Sequence, residues 1–111
     1  MKVAIVGSRD YPSLWEVWLY VTSLPADSVV LSGGAMGVDA HAEYAAKECG
    51  LGVEIYPAEW GLYGRFAGLI RNQTIVDAAD RVVAFWDGKS KGTASTIAMA
   101  KRAGKDVEIV R

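Results

Sequence analysis

With 111 residues, 51% of them apolar, the chain has the length of one domain (residues 1–111) and enough apolar material for a core without staples. Twelve basic residues against thirteen acidic leave a net charge of −1. This is not the basic excess of a dedicated nucleic-acid surface, so a nucleic-acid partner is not expected, although a local basic patch stays open.

The single cysteine, Cys49, excludes an internal disulfide and a multi-cysteine zinc site and points to a reduced, cytoplasmic setting. Among alanines in a helical stretch, Cys49 reads as a small apolar filler. No apolar run approaches the ~20 residues that cross a bilayer, so no membrane partner is expected.

In chain order, strand and helix patterns alternate throughout. Val3–Val6 is a short apolar strand closed by Gly7. Ser13 to Leu24 follows as a helix, with Leu14, Trp18, Val21 and Leu24 at helical spacing, Ser13 and Glu16 as a capping box, and Pro25 as the stop. Val29–Leu31 is the second strand, and Gly37 to Glu48 the second helix, with Gly50 as its terminal glycine. Val53–Tyr56 is the third strand, ended by Pro57. A loop from Ala58 to Gly64 holds Trp60 and Tyr63. Arg65 to Ala79 is the third helix, Arg81–Phe85 the fourth strand, Thr93 to Ala103 the fourth helix before Gly104, and Val107–Val110 the fifth strand. Strands apolar on both faces, alternating with helices, predict a doubly wound, Rossmann-like parallel sheet of about five strands with helices on both faces. Ligands of such sheets bind outside the carboxyl ends of the strands, where strand order reverses.

Three turns are expected on that edge. Gly7-Ser8-Arg9-Asp10 follows the first strand, with backbone amides and an arginine fork suited to phosphate or a base. Ser32-Gly33-Gly34-Ala35-Met36-Gly37-Val38-Asp39 places three glycines in five residues between strand and helix. Its spacing is neither the dinucleotide fingerprint nor a Walker A loop. Asp39, in the first helical turn, suits ribose hydroxyls or the helix dipole rather than phosphate, which it would repel. Asp87-Gly88-Lys89-Ser90-Lys91-Gly92-Thr93 is the leading phosphate candidate, with amides, hydroxyls and lysines in one loop before a helix. Trp60 and Trp86 are candidates to stack on a base, with Arg71 and Asn72 supplying a cation and an amide. The lone His41 makes a poor metal site, and no metal or cofactor is expected. Eleven aromatics predict a homodimer through a helical surface that includes Trp15 and Tyr20.

Taken jointly, these segments give a family resemblance. It rests on Gly7-Ser8-Arg9, Ser32-Gly33-Gly34-Ala35 to Gly37-Val38-Asp39, Pro57-Ala58-Glu59-Trp60, Gly64 to Ala67-Gly68, Arg71-Asn72, and Ala84-Phe85-Trp86 through Gly92-Thr93. The chain resembles the SLOG superfamily (Smf/LOG-like Rossmannoid proteins), and within it the small YspA-like branch. The resemblance implies binding, for sensing or processing, of a nucleotide or nucleotide-derived phosphorylated ligand. Two other branches supply alternatives. The LOG-type phosphoribohydrolases carry a glutamate three residues after the Gly-Thr threonine, where this chain has Thr96, so no catalytic residue is assigned. The Smf-type DNA-processing proteins bind single-stranded DNA and share the Ser-Gly-Gly-Ala turn and Arg71-Asn72. Against them stand this chain's shorter length and balanced charge.

Overall fold

The computed structural model describes residues 1–111. It builds β1 (Lys2–Gly7), α1 (Leu14–Thr22), β2 (Val29–Ser32), α2 (Val38–Glu48), β3 (Gly52–Ile55), α3 (Trp60–Tyr63), a 3-10 turn (Gly64–Phe66), α4 (Ala67–Ala78), β4 (Arg81–Phe85), α5 (Lys91–Arg102) and β5 (Asp106–Val110). All five strands are parallel, in the order β3-β2-β1-β4-β5. The expected Rossmann-like sheet is therefore present. No helix is long and apolar enough to cross a membrane.

Alternation along the strands divides the core into two layers. Val3, Ile5, Val30, Val83 and Phe85 face Val17 and Val21 of α1 and Val38, Ala42 and Ala45 of α2. Ala4, Leu31 and Val82 face Ile75 and Val76 of α4 and Met99 and Ala100 of α5. Each fully buried branched side chain contributes ~1.5–3 kcal/mol, so both helix pairs are anchored by the strands between them. The chain winds outward from β1 through β2 to β3, then crosses to β4 and β5. Strand order thus reverses between β1 and β4.

Several local expectations are corrected. The Ser13 side chain makes no capping bond; the Glu16 carboxylate instead accepts from the Tyr11 hydroxyl at 2.6 Å. The segment expected as a loop contains α3, and the third helix begins through the 3-10 turn. The fourth helix starts at Lys91, with Ser90 as N-cap accepting from the Thr93 amide, so the helical turn reaches back into the loop. Cys49 is exposed at the end of α2 rather than filling the core. Of the two aromatics expected at a dimer seam, Trp15 is exposed. Tyr20 packs edge-on against Phe85 and donates to Glu108, because its face of α1 is the buried one. Large exposed apolar residues lie both on the outer face of α1 and α2 (Trp15, Leu19 and Tyr44) and on α3 and the turn after it (Trp60, Leu62 and Phe66).

Candidate functional site

A cleft of about 260 Å³ opens at the carboxyl edge of the sheet, beside the reversal between β1 and β4. Its walls come from the turn after β1 (Gly7, Arg9), the turn after β2 (Gly33, Ala35, Met36, Asp39), α4 (Arg71, Asn72, Ile75) and the start of α5 (Ser90, Gly92, Thr93, Thr96). Of the seventeen residues expected to bind ligand, ten line this one cleft.

Close packing explains the glycines of its floor. A Cβ on Gly7 would fall 2.5 Å from the Val38 side chain, so β1 can end against α2 only without one. A Cβ on Gly33 would lie 2.6 Å from Arg71 Nη1; the bare backbone lets the guanidinium donate to the Gly33 carbonyl at 2.6 Å. Gly37 turns the chain into α2 at φ +79, close to the Arg9 carbonyl, a conformation that other residues adopt only with strain.

Arg71 is half-buried. Its Nε donates to Asn72 Oδ1 at 2.7 Å, which fixes the plane of its fork in the cleft wall. Asp39 is 8% exposed and accepts from the Ala35 amide at 3.2 Å. Burial raises its carboxyl above the ordinary aspartate range, opposed by the Ala35 amide and the Arg71 charge. One α-helical turn further on, Glu43 accepts from Ser32 Oγ at 2.5 Å, a contact no turn motif announced. The i, i+4 spacing of Asp39 and Glu43 puts both carboxylates on one helix face, and that was the available signal. Arg9 is exposed at the mouth.

The loop after β4 departs most from expectation. The Asp87 carboxylate accepts from the Lys89 and Ser90 amides, both at 2.8 Å, and from Ser8 Oγ at 3.1 Å. Those amides, first the Ser90 and then the Lys89 one, hold its pKa below the ordinary value. The anion position predicted there is filled by the loop's own carboxylate. Ser8 is buried in this network and does not line the cleft. Lys89 is exposed, and Gly88 lies beneath Arg111. Trp86 is engaged too: Arg111 sits 5.3 Å over its ring, and its Nε1 donates to the Ser90 carbonyl at 3.0 Å. Trp60 stands 61% exposed outside the cleft, and Gly34 is exposed at its edge. Thr96 does line the cleft, but its hydroxyl donates to the Gly92 carbonyl at 3.1 Å and offers no acid. His41 is exposed, and no cluster of ligating side chains could hold a metal.

A second cavity, about 210 Å³, opens at the carboxyl end of β3 between α3 and α4 and shares Arg71 with the first. Tyr63 and Glu59, from the segment expected as a loop, line it.

Comparison with solved structures agrees with this fold. DNA processing protein A of Streptococcus pneumoniae superposes with a TM-score of 0.86 at 22% identity, over 99% of this chain and 50% of that one. DNA processing protein A of Helicobacter pylori, whose structure is described by its single-stranded DNA binding mode, superposes at 0.75 with 24% identity, over 98% of this chain and 64% of that one. The chain thus spans about half to two thirds of their length. Both neighbours share the fold of this chain. They overturn two expectations: a nucleotide-type small molecule as principal ligand, and the exclusion of nucleic acid. Balanced charge does not support the exclusion, because net charge sums over the whole surface, whereas a nucleic acid would meet only the cations at one edge. No family model matches the chain. Among curated proteins, the Gene 61 protein of Mycobacterium phage D29 is 34% identical over 113 aligned positions, covering 93% of this chain and 90% of that protein. The chain belongs to the family of that phage protein.

Proposed function

We propose that the chain, acting as one domain, binds single-stranded DNA along the carboxyl edge of its sheet. The observation that carries this reading is the fold shared over 98% of the chain with a protein described by its single-stranded DNA binding. The site chemistry supports it. Arg9 and Arg71 line the cleft, and Lys89 and Lys91 are exposed on either side of Ser90, which lines it too, in a chain whose net charge is −1. Arg71 spends two donors on Gly33 and Asn72, which leaves the rest of its fork for a phosphodiester oxygen. The joint run of motifs from Gly7-Ser8-Arg9 through Pro57-Ala58-Glu59-Trp60 to Gly92-Thr93 supports the finer placement in the YspA-like branch.

Fluorescence anisotropy with a labelled oligonucleotide tests the proposal. Binding is expected at low salt, weakening with a log–log slope of roughly −2 to −3 if three to four cations contact phosphates. Arg9→Ala is expected to flatten that slope by about 0.7. Absence of binding at about 20 mM salt, or a slope indifferent to Arg9, would overturn it.

A further inference from the structure

The cavity between α3 and α4 differs in chemistry from the cleft beside it. Ile55, Tyr56, Pro57 and Tyr63 give it an apolar and aromatic wall, and Glu59 and Thr74 add a carboxylate and a hydroxyl. Its one cation is Arg71, which it shares with the cleft. The Gly33-Gly34 turn also lies at the junction: Gly33 lines the cleft, and a Cβ on Gly34 would touch the Ile55 side chain at 3.1 Å. A carboxylate at the rim of a partly aromatic pocket repels a phosphate but accepts a hydrogen bond from a base amine. A strand whose phosphodiester lies on Arg71 in the cleft has a base within reach of this second cavity.

We infer that the Tyr56–Tyr63 cavity takes one nucleobase of the bound strand, and that Glu59 selects bases carrying an exocyclic amine. The inference rests on the single-stranded DNA reading. Tyr63 supplies a stacking surface, which is indifferent to sequence. Glu59 adds discrimination, because cytosine presents an N4 amine where thymine presents an O4 carbonyl. Cytosine and thymine are equal in ring size but differ also at N3 and at the C5 methyl, so it is the change in their ratio on Glu59→Ala that isolates the contact to Glu59.

The test is anisotropy titration of the full chain with dC and dT oligonucleotides of equal length. Wild type is expected to favour dC on the order of fivefold, the worth of one hydrogen bond. Glu59→Ala, a substitution at an exposed position, is expected to bring the two ligands level while binding persists. Tyr63→Ala is expected to weaken both by roughly tenfold. Equal affinity of wild type for dC and dT, or a preference that survives Glu59→Ala, would overturn the inference while leaving single-stranded DNA binding intact. If neither oligonucleotide binds, the inference falls together with the function it rests on.

Discussion

The two glycine-rich turns, after β2 and after β4, look alike in sequence and behave oppositely in the fold. Each carries one aspartate that accepts hydrogen bonds from its own turn. Asp39 is buried beneath the first turn, and loss of solvent raises its pKa; Arg71 offsets part of that cost. Asp87 stands in the second turn among donated amides, and those amides lower its pKa. A run of backbone donors is therefore no proof of a vacant anion site. What decides is whether a carboxylate of the same loop already occupies it.

The largest expected break in this comparison is at Arg71. Arg71→Ala removes the bond to the Gly33 carbonyl and the positive charge facing Asp39, and should cost about 2–3 kcal/mol in chemical denaturation. Arg71→Lys should restore little of it, since an ammonium cannot serve both Gly33 and Asn72 in the fork's plane. A loss under half a kcal/mol, about the noise of a surface change, would show that Asp39 does not depend on that cation. Next comes Gly37→Ala, which forces a side chain into φ +79 against the Arg9 carbonyl and should cost ~1–3 kcal/mol, read as a lower Tm.

The smallest effects sharpen the contrast by their sign. Asp39 has a raised pKa, so its unfavourable burial as a charge grows as pH rises through that pKa. The Tm of Asp39→Asn should therefore gain on wild type as pH climbs above the ordinary value of 3.8. Asp87 has a lowered pKa; its stabilising contribution is complete above 3.8 and is lost as pH falls through its folded value. The Tm of Asp87→Asn should therefore lose to wild type above 3.8 and converge with it in stronger acid. Curves of the same sign would remove the distinction between the turns. At low salt, Asp87→Ala should also tighten oligonucleotide binding a few-fold, because it frees the Lys89 and Ser90 amides.

Much of the architecture was legible in the chain itself. Apolar strands such as Val82–Phe85 alternate with helices that carry one apolar stripe, and that pattern has few solutions besides a covered parallel sheet. The turn glycines mark the edge at which the cleft opens, since chain direction alone puts every strand-to-helix turn of a parallel sheet at its carboxyl end. Glu54 of β3 and Asp106 and Glu108 of β5 suit edge strands, but the pairing of β1 with β4 that opens the cleft was decided only in the assembled sheet, because β1, β2 and β4 are alike apolar. The fates of Asp39, Asp87 and Trp86 were decided there too. Each depends on a neighbour brought near by folding, and residue type alone does not say whether an amide or a ring meets a ligand or its own chain.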